Sequence, residues 1–275
     1  MQPNEIGLML NVGQDPVANI RKVTSLGLKL IQMGSPGDDW LVEPKRGELQ
    51  KMIADAGLEV FTVFVGFEGE SYADVPTVKR TVGYADPATR EARLKRTYKT
   101  CDLAKLLGAK YLGTHIGFVP HNPRDLQYDA MVEVVRKVAD YCSRIGLGVS
   151  LETGQEPADV LVPFIKTVNK KNLTVNFDPA NMILYGSGDP HEALAKLKKW
   201  VVSVHVKDGL APTVKDQLGT ETPLGAGAVN IPKFINGLKS FGFKGPLVIE
   251  REITGSEQVK DVKAAIELIE KLRVN

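Results

Sequence analysis

The chain has 275 residues, enough for one large core, and at 43% hydrophobic and 25% charged its composition is that of an ordinary globular protein. Its 35 Lys and Arg nearly balance 33 Asp and Glu, with no basic block, which disfavours nucleic acid as a partner. No apolar run approaches the ~20 residues of a membrane span, and MQPNEIGLML has no basic region ahead of its apolar stretch, so a cytoplasmic protein with neither signal peptide nor membrane partner is expected.

Eight short apolar runs follow one another along the chain, near 5–10, 28–33, 59–65, 110–116, 147–152, 173–178, 201–206 and 246–250. Helical patterns separate them. Arg90 to Leu107, Asp125 to Ile145 and Glu257 to Leu272 carry apolar residues at three- and four-residue spacing. Asp86-Pro87 and Asp189-Pro190 read as an N-cap and first turn, and Asn230 stands before Ile231-Pro232 in the same manner. Gly27, Gly57, Gly108 and Gly146 each follow a helical stretch and precede a strand, where a helix ends on glycine. Eight strand–helix alternations predict parallel strands joined by right-handed crossovers. The expected fold is α/β, a (β/α)8 TIM barrel forming a single domain over 1–275; a doubly wound open sheet is the alternative. Gly66–Pro87 and Gly209–Val229 read as long loops after the third and seventh strands, placed to act as lids or to be plain surface insertions. Cys101 and Cys142 fall on helical segments without a CxxC neighbour, so two reduced core thiols are expected.

The fifth to eighth runs each end at, or carry, a residue able to hold a metal: Glu152, Asp178, His205 and Glu250. Strand side chains alternate between faces. Val149 and Leu151 oppose Ser150 and Glu152, Phe177 opposes Asn176 and Asp178, and Val204 opposes Ser203 and His205. Each candidate therefore shares the small, polar face that should point into the barrel. One acidic residue after a strand is more often a helix cap, and Asp178, followed by Pro179, fits that reading as well. Four ionisable groups converging unpaired on one buried mouth would cost several kcal/mol, and a metal removes that cost. Three carboxylates and an imidazole suit a hard divalent ion. His115 obeys the same parity rule.

The motifs SLETGQE (150–156), NFDPAN (176–181), VHVKD (204–208), PLGAGAVN (223–230) and VIE (248–250) resemble, in order and spacing, those of the xylose isomerase-like sugar phosphate isomerase/epimerase superfamily. The resemblance implies one Mn²⁺, Mg²⁺ or Co²⁺, Mn²⁺ foremost, held by Glu152, Asp178, His205 and Glu250, with Glu152 and Glu250 as the acid–base pair of a ketose or ketose-phosphate epimerase or isomerase. It also implies a polyhydroxy small-molecule substrate and a homodimer or homotetramer. His115, Glu156, Asn181 and Lys207 are the candidate substrate contacts; Gln155 stands beside Glu156. Glu156 equally suits a cap on the helix near Pro157, and Lys207 a lysine on the solvated rim. The chain departs from the ketose 3-epimerase pattern at Asn181, where those enzymes carry His, and after His205, where it has Lys207 and no Arg. An inositol-derivative isomerase or dehydratase and a non-catalytic sugar-binding barrel remain alternatives. An apurinic endonuclease needs many histidines, and this chain has four.

Overall fold

The computed structural model describes residues 2–13 and 15–274. Its centre is a closed, all-parallel barrel of eight strands: β1 (Ile6–Leu10), β2 (Leu30–Met33), β3 (Glu59–Val65), β4 (Tyr111–Thr114), β5 (Gly148–Glu152), β6 (Leu173–Phe177), β7 (Val201–Val206) and β10 (Leu247–Ile249). The strands neighbour one another in chain order, and β10 closes the ring against β1. All eight expected runs are barrel strands, so the (β/α)8 reading holds and the open sheet does not.

The outward faces supply the core. Val149, Leu151, Val175, Phe177, Val204 and Val206 are buried in one continuous apolar cluster with the surrounding helices. The inward faces are polar where they cross the axis: the Gln32 amide nitrogen on β2 donates to Thr62 Oγ1 on β3 (3.3 Å) and to Asn176 Oδ1 on β6 (3.2 Å), and Ser203 Oγ on β7 donates to Asn176 Oδ1. Next to this layer Gly113 makes room for the Phe64 ring, because a Cβ there would lie 2.6 Å from it. That ring in turn rests 5.6 Å from His205.

The outer helices begin where short polar residues satisfy free N–H groups. Asp125 caps α5 (Leu126–Arg144), Asp189 caps α8 (Pro190–Leu197) and Asn230 caps α9 (Ile231–Ser240). Asp86 does not cap a helix. It accepts the Ala88 N–H in a turn, and α4 (Arg90–Leu106) starts four residues later. Gly27, Gly57, Gly108 and Gly146 all have positive φ, as helix-ending glycines should. Cys101 on α4 and Cys142 on α5 are free, buried thiols with their sulfurs 3.5 Å apart. No described helix is long and apolar enough to cross a membrane.

Both expected loops hold regular structure. Gly66–Pro87 contains α3 (Val75–Thr81), capped by Asp74. Gly209–Val229 overlaps a two-stranded antiparallel hairpin of β8 (Asp208–Leu210) and β9 (Thr220–Thr222). The return from that hairpin wraps the buried Asp208 carboxylate, which accepts N–H groups from Gly209, Gly225, Gly227 and Val229. A Cβ on Gly227 would stand 2.2 Å from Asp208 Oδ1, so only glycine lets the chain pass this close. These bonds anchor both ends of the segment, whose Leu218, Gly219 and Glu221 line the mouth.

Candidate metal centre

Glu152 ends β5, Asp178 follows β6, His205 sits near the end of β7 and Glu250 follows β10. Each offers one ligand atom, and those atoms lie within 4.8 Å of one another. His205 Nδ1 is the hub, 2.9 Å from Glu152 Oε1, 3.1 Å from Glu250 Oε2 and 3.6 Å from Asp178 Oδ2. The far side of the imidazole explains its orientation. Gln32 commits its amide N–H groups to Thr62 and Asn176, so its Oε1 faces His205 Nε2 at 2.7 Å and accepts that proton. The Nδ1 edge is thereby aimed at three carboxylates, the arrangement that outer partners of metal-bound histidines impose.

Asp178 does two jobs with two oxygens. Oδ1 accepts the Asn181 N–H and caps α7 (Pro179–Tyr185). Oδ2 is buried without a hydrogen-bond partner, as is His205 Nδ1. Two partnerless polar atoms, both aimed into one buried cluster, are what a divalent ion would satisfy, so the residues fit the metal that the sequence implied.

The electrostatics follow from burial and pairing. Burial alone would push the Glu152 carboxyl up, but the charges of His115 and His205 prevail and bring it to about 2. Burial also opposes charge on Glu250, and Lys207 with His205 hold it well below the ordinary range. For His205 burial favours the neutral ring, yet Glu250 and Glu152 raise it well above its ordinary value. Asp178 is pushed up, chiefly by burial, against the pull of Lys207. These four groups share one excess of negative charge that a cation would balance.

A family model described as xylose isomerase-like TIM barrel matches residues 20–272. The chain belongs to this family. The crystal structure of a xylose isomerase domain protein from Planctomyces limnophilus is 36% identical, with a TM-score of 0.90 over 99% of this chain and 97% of that one. A D-psicose 3-epimerase with D-tagatose, from Clostridium cellulolyticum H10, is 16% identical with a TM-score of 0.72, covering 98% and 99%. A xylose isomerase-like TIM barrel protein from Mycobacterium smegmatis, in complex with magnesium, is 20% identical with a TM-score of 0.68, covering 97% and 95%. At those identities the last two share the fold. A comparison with curated proteins finds no match.

In this member of the xylose isomerase-like family the cluster adjoins a cavity of about 440 Å³. Of the expected substrate contacts, His115 and Asn181 line it. His115 Nε2 lies 3.1 Å from Glu152 Oε2, and Asn181 Nδ2 donates to Glu152 Oε1 at 3.2 Å. Lys207 is not on the solvated rim: it is 1% exposed. The reason is its neighbours. Its ammonium donates to Glu252 Oε1 (2.6 Å), Glu250 Oε2 (3.0 Å) and Asn181 Oδ1 (3.3 Å), which engages all three of its protons. Glu156 is buried and accepts the Val119 N–H at 2.7 Å, while α6 (Ala158–Val168) starts after Pro157 with no side-chain cap. The capping alternative for Glu156 therefore fails, and its carboxylate pins the β4 loop instead.

Sequence reasoning missed Gln32, Glu252 and the aromatic walls Tyr72 and Tyr185. Gln32 gave one weak signal, a lone amide in the apolar run LIQM. Glu252 shares a face with Glu250, two residues on, and its tie to Lys207 needs the folded barrel.

Proposed function

We propose that this protein is a divalent-metal-dependent sugar epimerase or isomerase, acting on a ketose or related polyhydroxy ketone by proton transfer through an enediolate. The observation that carries this reading is the cluster itself. Two glutamates meet at His205 Nδ1, and each is paired with its own cation: Glu152 with His115, and Glu250 with Lys207. A divalent ion held by Glu152, Asp178, His205 and Glu250, Mn²⁺ before Mg²⁺ or Co²⁺, supplies Lewis acidity toward a carbonyl and its neighbouring hydroxyl.

The chain's own groups do the rest. Glu250 is kept ionised by Lys207 and accepts the proton from the carbon between carbonyl and hydroxyl. Burial opposes charge on His115, but Glu152 outweighs it and lifts its pKa to about 9, so the His115–Glu152 pair holds one proton near neutral pH. Glu152 delivers that proton to the opposite face, since the two glutamates leave strands separated by β6 and β7. Asn181 and His115 face the cavity and orient hydroxyls; Lys207 holds Glu250, Glu252 and Asn181 in register. The barrel chemistry of the D-psicose 3-epimerase neighbour is compatible with this reading.

Turnover of a panel of free ketoses, ketose phosphates and inosose, with Mn²⁺ in D₂O, tests it. Deuterium at the inverted carbon supports proton transfer. Retention of the original hydrogen, moved to the neighbouring carbon, contradicts the two-glutamate mechanism. Metal-dependent sugar binding without turnover of any member, with that sugar binding kept when Glu152 and Glu250 are replaced, favours a sugar-binding barrel.

A further inference from the structure

A second cavity, of about 620 Å³, opens beside the first, between the loops that follow β2 and β3. Tyr72 lines both. The inner cavity, at about 440 Å³, already falls within the roughly 300–1,000 Å³ of complete small-molecule sites. A single sugar bound at the metal cluster therefore leaves the outer cavity empty.

The outer cavity is built rather than incidental. Ser35 Oγ accepts the Gly66 N–H at 2.9 Å. Arg96, rising from α4, donates to Gly66 O at 2.7 Å and Pro36 O at 2.6 Å, and pairs with Asp38. These bonds tie the two loops into one frame. On its inner side, Glu70 accepts the Phe67 and Gly83 N–H groups, and Ser71 N donates to Thr81 Oγ1, which fixes the segment that carries Tyr72. Tyr72 is 44% exposed, a large share for an aromatic ring held in a braced loop. Its ring stands 6.2 Å from that of His115, over the inner cavity.

The lining states the chemistry. An exposed aromatic ring at the junction offers a stacking face. Asp38, Glu68 and Glu70 set three carboxylates against the one guanidinium of Arg96. Carboxylates accept hydroxyl hydrogens and repel a phosphate. Building on the sugar reading of the metal site, we propose that the outer cavity is a second subsite, holding the uncharged distal ring of a glycosylated ketose whose ketose portion lies at the metal cluster.

The test compares binding of lactulose, a fructose carrying a galactosyl ring, with binding of D-fructose and D-fructose 6-phosphate to the Mn²⁺-supplemented protein by calorimetry. Lactulose is expected to bind at least about tenfold more tightly than D-fructose, the equivalent of about 1.4 kcal/mol. Gly37→Tyr should bring the ratio to about one. Gly37 lines only the outer cavity, has an ordinary extended backbone (φ −61°, ψ 158°), and a Cβ there meets nothing nearer than 3.9 Å. Glu68→Trp, on the facing loop, should act alike, and unchanged unfolding midpoints show that both variants fold. Equal affinities for lactulose and D-fructose, a ratio unmoved by both variants, or tightest binding of D-fructose 6-phosphate each overturns the subsite while leaving the sugar reading intact. Mn²⁺ binding with no affinity for any of the three overturns both.

Discussion

The two halves of the barrel mouth are built on the same strands and end differently. From β5 onward, each barrel strand delivers an ionisable group to the centre: Glu152, Asp178, His205 and Glu250. Of the earlier strands, β4 sends His115 to the edge of this cluster, 3.1 Å from Glu152, while the loops after β2 and β3 enclose open space instead. Reactive groups in one half can share one ion and one charge balance; the other half is free to vary in shape. The division teaches that the fold sets where chemistry can sit, while loop content sets what it acts on.

The sharpest way to break this comparison is to remove a base from the reactive half. Glu250→Gln should lower kcat by about 10²–10⁴-fold with the unfolding midpoint little changed. Loss of folding along with activity would instead mark Glu250 as structural. Next in size, Asp178→Asn keeps the oxygen that caps α7 and loses the charge. Calorimetry should show Mn²⁺ affinity falling by more than the about 10–100-fold that outer-shell partners are worth, in a normally folded protein. Wild-type affinity would make Asp178 a cap only.

Gln32 tests whether the quiet half contributes to the metal. Gln32→Leu removes the acceptor that fixes the His205 tautomer, and Mn²⁺ affinity should drop about 10–100-fold. Stability should fall by about 1–3 kcal/mol, because buried His205, Thr62 and Asn176 lose a partner. An unchanged Mn²⁺ affinity would confine the metal site to the four ligands.

The smallest effect concerns Glu156, which ties the β5 end to the β4 loop. Burial pushes its carboxyl up from 4.5 to about 8, against the Val119 N–H. The folded protein keeps a proton there that the unfolded chain releases. The associated stability is full below pH 4.5 and is lost as pH rises through about 8. Glu156→Gln is neutral throughout and still accepts the Val119 N–H. It should raise the unfolding midpoint by roughly a few degrees near pH 9 and hardly at all near pH 5. An equal change at both values would show that Glu156 carries no such proton.

The reactive half was the legible half. Strand parity exposes a polar residue against Val, Leu and Phe, and four strand ends repeat the signal, so Glu152, Asp178, His205 and Glu250 stand out without contacts. Gln32 does not, because its partner His205 lies 173 residues away and one amide in LIQM has no period. Lys207 read equally well as a solvated rim residue, since a lysine's sequence context says nothing of the carboxylates that Glu250 and Glu252 bring from another strand. Asp74-Val75-Pro76 did announce α3, a cap and first-turn signature overlooked inside a long polar stretch. The β8–β9 hairpin had no such signature: its strands are three residues each, and the tie between Asp208 and the N–H groups of Gly225 and Gly227, 17 and 19 residues on, shows only in the folded chain.

The proposed function depends on four side chains holding one divalent ion, with His205 Nδ1 among the ligand atoms. Anomalous diffraction from crystals grown with Mn²⁺ tests it most directly. One strong manganese peak per chain is expected within bonding distance of Glu152, Asp178 Oδ2, His205 Nδ1 and Glu250, with His205 Nε2 still donating to Gln32. No peak at that position, or a peak that leaves His205 Nδ1 or Asp178 Oδ2 unbound, would contradict it.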